Sequence, residues 1–365
     1  MNKGRLYYAD WLRILVILSL IPYHSALTYT GLGDTYIKAP IKEPEVLPFL
    51  IITAPLGSFF MTLLFFISGI ATYHSFTKRG SKKFLMERLK KVLLPFILGT
   101  LLLCPVQAYF KGLYDGFSGS LIEFIPEFFS KKIVTYLGYA HLWFLLYLLI
   151  FTFMCIPLFC RWIKHPEKLQ GLSDFLCRGN NIYYPILFII LAEMHLRPFF
   201  TGMQTLIMDW ANDVVYLSMI VFGFVFACDH RLQERVDELK NISGVIFSVL
   251  SAAYIAVSYL WLVHDKDLWI FWAATKGLYE CCAIIFILAL GKRYLNRKNR
   301  ALDYLNKASF SYYVFHFVPI SFFTYLVSSF SGNSYAKYLL VVIAAYICVT
   351  VLYEIFAKMK IRLAG

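Results

Sequence analysis

Apolar residues along the chain are gathered in blocks, not spread in the three-and-four spacing of a helix with one wet face. Each block runs for about 20 residues, the length that crosses a hydrocarbon core roughly 30 Å thick. The pattern predicts ten spans, at about 9–29, 49–76, 92–112, 139–160, 182–196, 214–229, 242–263, 269–291, 308–330 and 336–357. The fifth is the shortest and carries Glu193 and His195. The longest connections on one side, around 30–48 and 113–138, are too short to fold alone. The expectation is an all-α polytopic membrane helix bundle, one domain over residues 1–365, with no separate soluble domain, repeat or low-complexity tract.

Composition agrees. Hydrophobic residues make up 59% of the chain and charged residues 16%, against about 25% charged in an ordinary soluble domain. With ten spans both termini fall on one side. That side collects 25 lysines and arginines and the other side 8; Arg13 and Lys276 lie within spans, which accounts for all 35. Cytoplasmic loops carry the excess of Lys and Arg, so both termini are expected in the cytoplasm. The same asymmetry explains the net charge of +13 without nucleic acid, and no nucleic-acid-binding motif interrupts the spans. The first span is too long for a signal peptide and carries Asp10, Arg13 and His24, so it is expected to be retained. The eight cysteines lie mostly in spans or on the cytoplasmic side and form no C-x-x-C pair. Neither a disulfide framework nor a zinc or other metal site is expected.

Ionisable residues inside spans are costly, at about 2.5–3.5 kcal/mol each on insertion scales, and commonly mark a site. Here they are Arg13, His24, Glu193, His195, Lys276, Glu280, His316 and Glu354. Arg13 and His24 bracket "RILVILSLIPYH". Eleven residues at about 100° each return to nearly the same helix face, about 16 Å further along the axis. Pro22 disturbs the backbone bonding between them. One reading is a snorkelling arginine and a histidine bonded between helices. The other is an anion-binding end joined by one face to a deep general base. Lys276 and Glu280, at i and i+4, read as an internal ion pair. Ser68 and Gly69 read as a close helix contact.

Five stretches in order carry a further likeness. They are Arg13 with His24, "FFISGI" (65–70), "ERLKKVLLP" (87–95), "HLWFLLYLL" (141–149) and "ASFSYYVFH" (308–316). Together they resemble the acyltransferase-3 family of integral membrane acyltransferases, over essentially the whole chain. "IPYHSALTY" and "LYEIF" look most like the branch that succinylates osmoregulated periplasmic glucans. The resemblance implies transfer of an acyl group, acetyl or succinyl, from cytoplasmic acyl-coenzyme A to a hydroxyl of an extracytoplasmic glycan or lipid-linked sugar. Acyl-coenzyme A is then a donor substrate, and no permanently bound cofactor is expected.

His24 matches the family's catalytic histidine, as a general base that takes the hydroxyl proton or as a ring that is itself acylated. Arg13, Arg88 and Lys91 match its basic positions for the coenzyme A phosphates. Lys91 stands where the pattern has a second arginine, and it lacks the planar fork that suits phosphate. The alternative for these cations is topology alone. His316 is a candidate for the donor tunnel or a helix contact. His141 and Trp143 are candidates for an acceptor wall, or Trp143 for an interface anchor. Glu193 and Arg197 are candidates to hold a polar acceptor. A polytopic carrier or flippase for a glycan or organic anion is the competing class, since intramembrane His, Glu and Lys also suit proton relays.

Overall fold

A computed structural model describes residues 6–33, 37–41, 44–132, 136–200, 202, 204–263 and 269–359. Of the cations counted for orientation, Lys3, Arg5, Lys42, Lys266, Lys360 and Arg362 lie outside the described residues. The described chain is helical, with no strand among the described residues. Eight helices are long and apolar enough to cross a membrane, and ten if two bent pairs each count as one span. The protein is an integral, multi-pass membrane protein.

The elements follow the apolar blocks closely. They are α1 (Tyr7–Thr30), α2 (Leu47–Arg79), α3 (Ser81–Arg88), α4 (Leu94–Leu102), α5 (Cys104–Tyr114), α6 (Leu121–Glu127), α7 (Trp143–Lys164), α8 (Pro166–Cys177) and α9 (Tyr184–Leu196). They continue as α10 (Trp210–Cys228), α11 (His230–Glu238), α12 (Lys240–Val263), α13 (Trp269–Tyr294), α14 (Arg300–Phe315), α15 (Phe317–Ser328) and α16 (Ser334–Lys358).

Three spans differ from expectation. The third begins earlier, at Ser81, because 81–93 is helical where a basic loop was expected; a π-helical turn at Leu89–Leu93 joins α3 to α4. At the fifth, α8 precedes α9 and meets it at 103°. The ninth breaks at His316, where α14 meets α15 at 53°. Pro319 has no N–H to bond the carbonyl four residues back, and its ring crowds that carbonyl, which is a recognised cause of such bends.

The chain divides into two compact units. The first comprises Met1–Arg13, Ala54–Arg88 and Tyr147–Asn299; the second comprises Ile14–Thr53, Leu89–Leu146 and Arg300–Gly365. In the first, α13 packs against α12 and α9, and α10 against α9. Gly69 of α2 lies on α10: a Cβ there would fall 2.1 Å from the Ile220 carbonyl oxygen, and one on Gly223 would fall 1.9 Å from that of Phe66. Only hydrogen on each glycine lets the backbones approach so far, as in small-residue contacts between membrane helices.

In the second unit α15 packs against α5 and α16. α16 buries Val341, Ala345 and Val349 at four-residue spacing and exposes Leu339, Ile343, Ile347, Val351 and Ile355. An outward stripe of branched aliphatic side chains suits lipid as solvent, with the backbone satisfied inside the helix. Pro22 leaves the Leu18 carbonyl of α1 without its usual helical donor. The Tyr346 hydroxyl of α16 donates to that carbonyl at 2.7 Å.

Candidate active site: three histidines and two basic positions

The second unit brings together three histidines from three distant stretches of sequence. The ring centroids of His24 and His316 are 5.3 Å apart, and those of His141 and His316 4.9 Å. The Phe317 ring stacks on His141 at 5.1 Å and meets His24 edge-on at 4.9 Å. His24 comes from α1, His141 from the 3₁₀ segment Tyr136–Leu142, and His316 from the bend between α14 and α15.

Local structure fixes two of the rings. His316 Nδ1 donates to the Tyr313 carbonyl at 2.7 Å, and His141 Nε2 donates to the Val314 carbonyl at 3.0 Å. A carbonyl only accepts, so these bonds set the neutral tautomers: the lone pair is on Nε2 of His316 and on Nδ1 of His141. Neither of those nitrogens has a hydrogen-bond partner, and both are buried. His141 is held from its other side too, since the Tyr313 hydroxyl donates to its carbonyl at 2.7 Å. Before it, Ala140 adopts φ 42° and ψ −134°, a conformation that L-residues avoid and that persists only where the surroundings enforce it. α4 supports this segment at close range: a Cβ on Gly99 would fall 2.6 Å from the Leu142 side chain.

His24 differs from its neighbours. His141 and His316 are closed over, at 5% and 1% exposure, whereas His24 remains partly exposed. Its Nδ1 is buried without a partner, so the open part of the residue lies elsewhere. Trp143, next but one to His141, is buried and does not stand at a surface. Among the described residues no three ligands are placed to hold a metal ion.

The basic positions fall as follows. Arg13 and Arg88 belong to the first unit and Lys91 to the second. Arg13 pairs with Asp10 at 3.7 Å. Arg88 donates to the Thr72 hydroxyl at 3.3 Å and lies over the Phe84 ring. The two guanidinium groups are near enough to repel one another. Lys91 lies in the π-helical turn, a local widening of a helix often found at functional positions.

Glu193 and Arg197 are brought into a closed network of the first unit. Arg197 donates to both Glu193 oxygens at 2.7 Å and to Asn212 Oδ1 at 2.8 Å. Lys276 bridges Glu193 and Glu280 at 2.7 and 2.9 Å. Asn212 continues to Asp209, which accepts from the Tyr147 hydroxyl at 2.6 Å. Glu193 and Glu280 have no exposure and Arg197 3%, so an acceptor could reach Glu193 or Arg197 only by displacing these bonds. His195 is not part of it and bonds its own helix at the Leu191 carbonyl. Glu354 accepts from the Tyr304 hydroxyl at 2.6 Å.

Sequence reasoning missed Asp209, Asn212 and Tyr147; polar residues at the start of α10 were the available signal. A cavity of about 520 Å³ in the first unit, lined by aliphatic and aromatic side chains such as Leu172, Phe188 and Ile284, contains none of the candidate residues.

The chain belongs to a class of polytopic membrane enzymes. The family model described as "Acyltransferase domain", of the acyltransferase-3 family, matches residues 6–354; the protein is a membrane acyltransferase. Among curated proteins the chain is similar to Glucans biosynthesis protein C of Escherichia coli (strain SMS-3-5 / SECEC) and of Escherichia coli O81 (strain ED1a). Each is 24% identical over 355 residues, covering 90% of this chain and 86% of the relative. The protein of the same name from Escherichia coli O1:K1 / APEC is 23% identical over 369 residues, with the same coverage. No solved structure matches the chain.

Proposed function

We propose that the protein transfers an acyl group, acetyl or succinyl, from cytoplasmic acyl-coenzyme A to a hydroxyl of an extracytoplasmic glycan or lipid-linked saccharide. His24 is the general base. The observation that carries this reading is the contrast within the histidine cluster. His24 is the partly exposed residue of the three, and its two neighbours have their N–H groups tied to backbone carbonyls.

A sugar hydroxyl attacks the thioester carbonyl carbon as His24 takes its proton. The tetrahedral intermediate collapses with cleavage of the carbon–sulfur bond, and the imidazolium returns the proton to the coenzyme A thiolate. His141 and His316 are positioning residues: their rings pack together and against Phe317, which in turn meets the His24 ring edge-on. The 25-to-8 division of cations supports cytoplasmic termini, with the α1 end that carries Arg13 on the donor side. Two arginines held near one another suit a polyphosphate, because Arg offers a planar fork to phosphate oxygens. α1 runs unbroken from Tyr7 to Thr30, so a donor anchored at Arg13 can extend its thioester arm along one helix toward His24.

The test is acyl transfer by purified protein in proteoliposomes that hold acceptor inside, with acyl-coenzyme A added outside and orientation measured first. Free coenzyme A is expected in step with an O-acylated product. His24→Gln is expected to lose at least about 100-fold in rate while keeping its fold and coenzyme A binding. Near wild-type transfer by His24→Gln overturns the assignment.

A further inference from the structure

The second unit contains a pocket of about 430 Å³ that no candidate residue lines. It is formed where α1 and α15 end and α16 begins, with the end of α5 and the segment 37–41 closing it. Its lining differs from that of the apolar cavity in the first unit. Three tyrosines, Tyr29, Tyr114 and Tyr325, stand with the hydroxyls of Thr28 and Thr324 and the ammonium-bearing Lys337. Among the described residues no carboxylate lines it.

Two of the rings are braced from behind. Tyr29 stacks on Phe49 at 4.8 Å, and Phe49 in turn on Tyr335 at 5.4 Å. Tyr325 stacks against Phe110 at 6.3 Å. The hydroxyls come from α1 and α15, the helices that carry His24 and follow His316. Thr28 lies four residues beyond His24, on the same helix face and about 6 Å further along the axis; Thr324 lies about 12 Å beyond the bend at His316.

Resting on the reading of His24 as the base and of the acceptor as a saccharide, we propose that this pocket is where the acceptor binds. A sugar ring has apolar C–H faces and a rim of hydroxyls. Fixed aromatic rings match the faces, and threonine and lysine donors and acceptors match the rim. The volume is that of a small-ligand pocket, too small for a folded partner, and a lining of hydroxyls and an ammonium is unsuited to a lipid tail. Thr28 of the pocket stands one turn beyond His24 on the same face of α1, so a sugar seated there can present one hydroxyl toward the imidazole. It also relieves Glu193 and Arg197 of acceptor binding, since those two are spent on each other.

The test is saturation-transfer NMR and calorimetric titration of the full-length protein in nanodiscs with linear gluco-oligosaccharides. The wild type is expected to bind them. Tyr29→Ala and Tyr325→Ala are each expected to weaken binding roughly 3- to 10-fold, the range for one aromatic contact, and the Tyr→Phe variants to keep it. Tyr29 is buried, so Ser328→Trp is the second variant. Ser328 is exposed at the pocket rim, and an indole there is expected to block binding without disturbing the core. Saccharide binding that survives Ser328→Trp and Tyr325→Ala unchanged overturns the proposal, and so does a wild type that binds no saccharide. His24→Gln separates the two claims. It is expected to bind saccharide like the wild type and transfer nothing; transfer by that variant sinks the base, and loss of wild-type binding sinks the pocket.

Discussion

Replacing Lys276 with methionine removes a cation held between two carboxylates, 2.7 Å from Glu193 and 2.9 Å from Glu280. Both carboxylates are wholly buried. At an effective dielectric of about 20, opposite unit charges about 4 Å apart attract by about 4 kcal/mol, so two such contacts amount to roughly 8 kcal/mol before desolvation. Methionine has nearly the same length and needs no desolvation, which returns part of that sum. Breaking buried pairs typically costs about 3–5 kcal/mol, and that is the expected loss. Glu193 keeps Arg197 as a partner. Glu280 keeps only the Thr62 hydroxyl, at 3.4 Å, so the penalty concentrates on Glu280. Lys276→Met/Glu280→Gln is therefore expected to recover most of the loss, whereas Lys276→Met/Glu193→Gln is expected to recover little and to leave Arg197 unbalanced. Reversible unfolding in bicelles, followed by tryptophan fluorescence across the four proteins, measures this. A Lys276→Met protein within about 1 kcal/mol of wild type, or equal recovery by the two double variants, refutes the account, since buried pairs that matter cost more than that.

Gly69→Ala and Gly223→Ala are each expected to force α2 and α10 apart and sharply lower the unfolding temperature. Gly171→Ala, in a helix with nothing within 4 Å, is expected to be neutral or to gain up to about 1 kcal/mol; parallel thermal melts decide it. Arg13→Ala and Arg88→Ala are expected to weaken coenzyme A binding more than Lys91→Ala does, because an ammonium lacks the bidentate fork; titration calorimetry on the three variants ranks them. The Asp229 carboxyl, just outside α10, is held below the usual carboxylate range by hydrogen bonds from the Arg231 guanidinium. Its contribution to stability is complete above the ordinary carboxylate pKa and is lost as pH falls through the lowered one. Acid titration of stability is therefore expected to be steeper for the wild type than for Asp229→Asn below about pH 4.

Hydropathy located most of the spans to within a few residues because bilayer thickness imposes a length on each. It could not show the break at His316: Pro319 was visible, but a proline three residues on is compatible with a straight span. Lys276 with Glu280, and the packing of Gly69, were readable because both rest on spacing along one helix or on residue size. Linking Lys276 to Glu193 required knowing that α9 packs on α13, and spacing says nothing of that. The histidines show the same limit. His24 was singled out by its motif, while His141 and His316 had been given separate tasks on acceptor and donor sides. Residues from three parts of the chain meet only through the packing of α1, the 3₁₀ segment and the bend. The basic run from Lys78 to Lys91 read as a loop because its charge masked a helical continuation into α4.

At the bend, the carbonyls of Tyr313 and Val314 are taken by the imidazoles of His316 and His141. The rings that hold these two carbonyls flank the proposed base, so fold and chemistry draw on the same two hydrogen bonds. Genetic screens will consequently see two phenotypes at one locus. Changes at His141 or His316 should deplete the protein from the membrane as well as silence it. Changes at His24, whose Nδ1 has no hydrogen-bond partner among the described residues, should leave a normal amount of inert protein. The ratio of abundance to activity across a mutant library would therefore separate the reacting ring from its two neighbours with no substrate in hand.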